Sequence, residues 1–507
     1  MEGILIRSRA KWISEGEKPS KYFLNLENRN FISKLMKSII KKDGTILTEQ
    51  KDLLEETKTF YEQLYSSKDD VLNNVNLVDI ITSDSPILND EESYSIEGQI
   101  TIEEASSALA NMNNNKSPGS DGFTTEFYKY FWEELGIPLV RSLNYSFNSG
   151  KLSCTQREGI ITCIPKPNKS KESLKNWRPI SLLNTSYKIG SACIANRIKR
   201  CLTQIIHTDQ TGFIAGRFIG DNVRLAYDIL KYAKNENKTG LLLQIDFEKA
   251  FDSLSWKFMD KVLRFFNFGT EIRQWVKIFY TEVKSCVIIN GQASGWFNLG
   301  RGCRQGDPLS PYLFILCAEI LALRLRQDKD VRGFLVNGNA HLISQYADDT
   351  LLFLDGTKQS FERVVFLILE YAKYSGLCMN FEKSKAIWIG NNINNNTKFM
   401  EHLPLEWNPK EFTILGIKFT ADLSDIVGQN YCNKIKEMQQ VINLWSKRNL
   451  TTIGKVTVFK SLVISKIIHL LICLPKPSKT YMKQIEKLQY DFIWDNKRAK
   501  INKVIAV

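Results

Sequence analysis

The chain of 507 residues predicts an α+β fold, and two features of its pattern carry that expectation. Between residues 159 and 420 short apolar runs alternate with amphipathic helical stretches, as strands and helices sharing one core do. Beyond Asp422 the strand signals stop and three amphipathic helices follow. A hydrophobic content of 43% allows a large core divided among several subdomains. No apolar run reaches the roughly 18–20 residues that a membrane-spanning helix needs, and MEGILIRSRAKW is too poor in apolar residues for a secretory signal. Ten cysteines without a C-x-x-C pair argue against a zinc ribbon or a disulfide framework. They fit a reducing intracellular compartment, nucleus or cytoplasm.

LLEETKTFYEQLYSS (53–67) reads as helix inside an acidic stretch, with a looser segment over 68–98. Thr101, with Glu104 three residues on, opens a capped helix through Ala110. NNNKSPGSDGF (113–123) reads as an ordered loop or a linker. GIITCIPK (159–166) and GLLLQIDF (240–247) are strand-like, and SLSWKFMDKVLRFFNFG (253–269) is a helix ending near Gly269. HLISQYADDTLLFLDG (341–356) reads as a β-hairpin with Asp348 and Asp349 at its tip. NNINNNTK (391–398) is a low-complexity insertion expected to form a mobile tip, and FTILGIKF (412–419) a strand. The closing helices are YCNKIKEMQQVINLWSK, IGKVTVFKSLVISKIIHLLI and YMKQIEKLQYDFIW, the last two punctuated by Pro475 and Pro477. Three regions result: a mainly helical extension over 1–110, a mixed region over 111–420 and a helical region over 421–507.

Charge is unevenly placed along a chain of net +13. Residues 1–42 carry ten basic and four acidic residues, 43–105 three and sixteen, and 425–507 fifteen and five. Such asymmetry points to polyanion contacts at both ends, ordinary solvated surface being the alternative.

Two segments carry the chemistry. In LLLQIDFEKAFD (241–252) an apolar strand delivers Asp246 at its end; in the hairpin, Tyr346-Ala347-Asp348-Asp349 sits between apolar runs. If the hairpin lies beside the first strand, Asp246 and Asp348 converge and can hold two divalent ions about 3.5–4 Å apart. Oxygen ligands without His or Cys favour Mg²⁺, or Mn²⁺, over Zn²⁺. That arrangement suits nucleotidyl transfer to a primer 3′-hydroxyl. An isolated ADD would mean only a polar turn. That alternative fails once a second strand-ending aspartate lies upstream with further motifs between.

The YADD hairpin, IDFEKAFD and GCRQGDPLSPYLF (302–314) resemble, in order and spacing, the palm motifs of reverse transcriptases. IPKPNK (164–169), NWRPISLLN (176–184), ANRIK (195–199) and DQTGFIAGR (209–217) narrow the resemblance to non-LTR, LINE-type retrotransposons. AKWISEGEKPSKYFLNLE (10–27) and FTILGIKF agree. The resemblance implies a right-hand fold of fingers, palm and thumb. It implies an RNA-directed DNA polymerase that extends a DNA primer on an RNA template with deoxynucleoside triphosphates, in target-primed reverse transcription. Such proteins carry an endonuclease ahead of this region and often a Cys/His knuckle behind it, so the chain reads as part of a longer or truncated product. The competing readings are a group II intron maturase, a non-catalytic nucleic-acid-binding relic and a metal-dependent nuclease. The relic is disfavoured by the intact carboxylates.

Roles carry over motif by motif. Asp246 and Asp348 would be metal ligands, Asp349 the third catalytic carboxylate and also part of the metal set, and Phe247 a ligand through its carbonyl. Asp252 reads as an N-cap of the next helix. Phe251 falls where a bulky side chain excludes a ribose 2′-hydroxyl, core packing being the alternative. Lys166 and Arg178 would grip the triphosphate, with Lys169 and Lys171 as stand-ins for Lys166. Gln305 and Gly306 match the motif that touches nucleotide and template, and Arg304 is a second candidate for template phosphate. Lys383 would protonate pyrophosphate, with Lys385 competing. Lys447, Arg448, Lys455, Lys460 and Lys466 would hold the duplex backbone, while Trp445 and Trp494 pack the helical core.

Overall fold

A computed structural model describes residue 32 and residues 34–494 apart from 42, 68–76, 78–80, 82–84, 168, 392, 394 and 449. The segment 10–27, most of the basic N-terminus, part of 391–398 and everything beyond Trp494 lie outside the described residues.

Helix α1 (Gln50–Tyr65) buries Leu53, Thr57, Tyr61 and Tyr65, a stripe at helical spacing. Helix α2 (Ile102–Asn111) starts with the expected capping box, Thr101 and Glu104 each accepting from the other's backbone N–H. The loop over 113–123 is fixed, because a Cβ on Gly119 would fall 1.9 Å from Asn184 Oδ1. Helix α3 (Trp132–Ser149) ends at Gly150 in the left-handed region.

Strands β1 (Glu158–Pro165) and β2 (Trp177–Leu183) pair antiparallel, with Ile164 opposite Arg178. Helices α4 (Thr185–Ile205) and α5 (Ile219–Asn235) follow. Strand β3 (Thr239–Ile245) is apolar on successive residues because both its faces are covered: Leu241, Leu243 and Ile245 enter one core and Leu242 another. The expected helix over 253–269 is two pieces, α6 (Ala250–Ser253) and α7 (Trp256–Phe265). Ser255 caps α7, and Asn267 at φ +60° takes the chain out of it before Gly269. Helix α8 (Thr270–Tyr280) leads to β4 (Lys284–Ile289), which runs parallel to β1.

Helix α9 (Ser310–Gln327) is buried on nearly all sides beneath the second sheet. That sheet adds β5 (Ile343–Tyr346), β6 (Asp349–Leu354), β7 (Lys385–Gly390) and β8 (Glu406–Trp407), in the order β5-β6-β3-β7-β8. Helix α10 (Lys358–Ser375) connects β6 to β7. The segment 412–419, read as one strand, is a hairpin of β9 (Phe412–Ile414) and β10 (Ile417–Phe419). Its turn is Leu415 and Gly416 at φ +46° and +85°, the two-residue geometry that glycine makes accessible.

The closing helices are α11 (Ile426–Trp445), α12 (Thr452–Val458) joined through a π-helical turn (Phe459–Val463) to α13 (Ser465–Cys473), and α14 (Lys479–Trp494). They share a small core of their own around Met438, Ile442, Val463 and Ile485, against which Trp445 packs. Strands between flanking helices, with a separate helical unit after them, form the right-hand polymerase fold. Among the described residues no single helix is long and apolar enough to cross a membrane; the apolar pieces Thr452–Val463 and Ser465–Cys473 are set at 49° to one another. None of the ten cysteines forms a disulfide.

Candidate active site

Strand β3 ends where its apolar run ends, and Asp246 is the next residue. Thr350 of β6 lies opposite Ile245, so Asp246 and Asp349 come side by side and Asp348 falls in the hairpin turn. Ala347 holds that turn at φ +56°, a conformation that costs a residue with a Cβ about 1–2 kcal/mol. Gln210 sustains it. Its Oε1 accepts from the N–H groups of Ala347 (2.9 Å) and Gly212 (2.8 Å), and its Nε2 donates to Ala347 O (3.3 Å). Asn222 Nδ2 and Thr211 N both donate to Gln345 O, each at 2.9 Å. The DQTGFIAGR segment therefore braces the acidic hairpin, a task its sequence alone does not declare.

Asp246 and Asp348 open into one cleft of about 810 Å³. Its walls also carry Lys166, Arg178, Phe247, Phe251, Gln305, Gly306 and Lys383. Every residue expected at the site lines this cleft except Asp349, which borders a separate small pocket with Gln244, Tyr346 and Leu415. Burial raises the Asp348 carboxyl above the ordinary carboxylate range, and the Asp246 charge adds to the rise. The Asp349 carboxyl is pushed up to about 6, first by burial of its oxygens and then by Asp348 and Asp246, although much of the residue is solvent-exposed. Asp246 Oδ2 is buried without a hydrogen bond, its nearest cation being Lys383 Nζ at 3.3 Å. Crowded carboxylates of this kind, one with an orphaned oxygen, suit a hard cation. Among the described residues no three acidic, histidine or cysteine side chains close on a single point.

Four cations line the cleft with these acids. Lys166 donates from Nζ to Lys175 O (3.1 Å); burial, with Lys383 and Arg178 nearby, lowers its pKa. Lys169 and Lys171 do not line the cleft. Arg178 projects from β2 and its charge favours the ionised form of Asp348. Lys383 reaches Asp246, whereas Lys385 pairs with Glu406 Oε2 at 3.2 Å on β7. The fourth, Lys249, was missed in sequence. It sits at φ +47°, donates to Trp177 O (3.2 Å) and lies 5.5 Å above the Phe60 ring.

Three expectations change. Asp252 is no N-cap: it lies within α6, is 1% exposed and accepts from Tyr65 Oη (2.8 Å) and Gln305 Nε2 (3.1 and 3.2 Å). Arg304 cannot meet template phosphate, being 1% exposed with its guanidinium 4.5 Å over the Tyr187 ring and Nη2 donating to Phe279 O. Lys455 is buried, so it does not face a duplex, while Lys447, Lys460 and Lys466 are exposed. Phe251 is half-buried, stacked on Phe314 with ring centroids 4.3 Å apart, and still borders the cleft. Gly306, at φ +116°, passes so close to β2 that a Cβ there would come 2.7 Å from Ser181 O.

A family model described as reverse transcriptase (RNA-dependent DNA polymerase) matches residues 164–419. An uncharacterized 149 kDa protein of transposon TX1 from Xenopus laevis is 30% identical over 98% of this chain and 37% of its own length. The Pol polyprotein of the type-2 retrotransposable element R2DM from Drosophila melanogaster is 25% identical over 70% of the chain and 33% of its own length. The RNA-directed DNA polymerase from mobile element jockey of the same fly is 22% identical, covering 77% and 43% respectively. The chain thus spans less than half the length of these curated relatives. Half of the sequence fits one family, and its relatives along the rest are proteins of non-LTR elements; the chain belongs to the reverse transcriptase family, in its LINE-type branch.

Proposed function

We propose that this chain is an RNA-directed DNA polymerase that extends a primer 3′-hydroxyl on an RNA template, in the target-primed mode of a LINE-type element. The observation that carries the reading is the cleft that Asp246 and Asp348 share with Lys166, Arg178, Lys249 and Lys383. Reverse transcriptases work with divalent metal ions. Asp246 and Asp348, with the Phe247 carbonyl, would hold them. When bound, Mg²⁺ or Mn²⁺ acidifies the primer hydroxyl and neutralises the leaving pyrophosphate. Arg178 and Lys166 orient the triphosphate through charge-assisted hydrogen bonds. Lys383 lies near enough to the carboxylates to hand a proton to pyrophosphate. Gln305 and Gly306 form the floor beneath base and sugar. Primer extension on an RNA template with Mg²⁺ or Mn²⁺ tests the reading, and a wild-type chain that extends no primer with either ion overturns it.

Phe251 would exclude the ribose 2′-hydroxyl. Its ring is fixed by Phe314 and its edge meets Phe213, so it cannot swing aside easily. Phe251→Ala is expected to raise ribonucleotide incorporation relative to deoxyribonucleotide by at least tenfold, the size of roughly 1.4 kcal/mol of lost steric discrimination. Competition between the two nucleotides measures this; an unchanged ratio in a folded variant leaves the ring a packing residue.

The duplex would lie against exposed Lys447, Lys460 and Lys466 of the helical unit. Each phosphate contact contributes about 0.9 to the slope of log affinity against log salt. Replacing all three by glutamine is expected to reduce that slope by about two to three, measured as template–primer binding over a salt series. An unaltered slope would place these lysines on solvated surface. Lys455→Gln, being buried, is expected to lower stability instead.

A further inference from the structure

Helix α1 lies outside residues 164–419 matched by the family, yet its last turn is built into the motif loop that carries Gln305. The final carbonyls of a helix have no partner within it. Here Leu64 O accepts from Arg301 Nε (2.7 Å) and Tyr65 O from Gly300 N (2.8 Å). The last two turns present Phe60 and Leu64 to the cleft and send the Tyr65 hydroxyl inward to Asp252 Oδ1 at 2.8 Å. Both oxygens of Asp252 accept from the Gln305 amide, and Gln305 O is fixed by Ser181 N at 2.7 Å. One buried carboxylate thus joins the N-terminal helix to the side chain facing the incoming nucleotide.

We propose that Tyr65 is a positioning residue for nucleotide binding, acting through Asp252 to hold the Gln305 amide in its working orientation. The inference rests on the polymerase reading of the cleft. Tyr65 donates to one oxygen of the Asp252 carboxylate and Gln305 to both. Withdrawing the Tyr65 hydroxyl leaves Asp252 under-satisfied and frees it and Gln305 to rotate together. The groups facing Asp252 are Tyr65 and Tyr61 from α1, Lys166 from β1, Lys249 from its own turn, and Cys303 and Gln305 from the motif loop.

Burial pushes the Asp252 carboxyl up to about 6, against the opposing effects of Tyr65, Lys249 and Gln305. Above that pH the carboxylate accepts from both donors. As pH falls through it, one oxygen gains a proton and becomes a donor, so the hold on the Gln305 amide through both oxygens weakens. Nucleotide affinity therefore weakens on the acid side. Tyr65→Phe removes a hydrogen bond that favours the ionised form, so the acid limb moves to higher pH.

The test is steady-state extension of oligo(dT) on poly(rA), with dTTP titrated across a pH series, for wild type, Tyr65→Phe and Asp252→Asn. Tyr65→Phe keeps the ring packed on Tyr61, and is expected to raise the KM for dTTP roughly three- to tenfold with kcat changed much less. Its acid limb in KM shifts upward, and Asp252→Asn loses the part of that limb that belongs to Asp252, the part set by Asp348 and Asp349 remaining. A uniform fall in kcat at every pH with an unchanged KM overturns the proposal and leaves Tyr65 a packing residue. An unaltered Tyr65→Phe profile beside an active wild type overturns it while leaving the polymerase reading intact, whereas an inactive wild type overturns both.

Discussion

Asp348→Ala is expected to lower primer extension on the order of a thousandfold or more while template–primer binding stays close to wild type. The turn that bears Asp348 is held by backbone groups of Ala347 on Gln210, not by the carboxylate, so alanine leaves the hairpin in place. The substitution removes one of two acids able to hold cations at the reacting phosphate. Asp246→Ala should match it, with the added effect of releasing Lys383 from its 3.3 Å ion pair. Asp349→Ala is expected to cost less than either, because Asp349 borders a different pocket and acts on the cleft through its charge. Single-turnover extension beside equilibrium binding separates the effects. Activity retained by the Asp348 and Asp246 variants would remove both from the chemistry.

Gly306→Ala should also be damaging, for a steric reason. The backbone there sits at φ +116°, which alanine resists, and the new methyl would fall 2.7 Å from Ser181 O. Either β2 or the loop must yield. The loop cannot move alone, since Ser181 N is hydrogen-bonded to Gln305 O (2.7 Å) and the Gln305 amide to Asp252. Displacing a positioning group by about 1 Å can cost a hundredfold in rate. An equal loss of kcat/KM is expected here, with thermal unfolding only modestly lowered because the larger cores are untouched. A variant with wild-type kcat/KM would show that the loop is softer than its contacts indicate.

Much of the cleft was legible in sequence. Asp246, Asp348, Arg178, Phe251, Gln305 and Lys383 stand in short motifs, and the cleft gathers them all. Residues whose part depends on distant segments were not legible. Tyr65 and Asp252 are 187 positions apart, and nothing in the helical pattern of 50–65 distinguishes a tyrosine that packs from one that also donates inward. The misreading of Asp252 has the same source: the helix signal after it was read as continuous, when Ser255 starts a second helix. Arg304 illustrates the converse. Next to a glutamine in the cleft, it turns inward because Tyr187 offers a ring face and Asp307 a charge. Alternation along 412–419 suited one strand; only the Leu-Gly pair at its centre betrayed the hairpin.

The π-helical turn at Phe459–Val463 makes the joint between the second sheet and the terminal helices sensitive to counting. Such a turn accommodates one extra residue, and each residue in a helix rotates the rest of the helix by about 100°. Helix α13 beyond it is shared property: Ile467 belongs to the core of the terminal helices, whereas Leu470 and Cys473 belong to the core behind the catalytic sheet. Deleting a single residue from the turn would leave every side chain type in place and yet aim Leu470 and Cys473 away from that sheet. A length change of one residue here thus acts as a phase error, to which conservative replacements in the same stretch are immune.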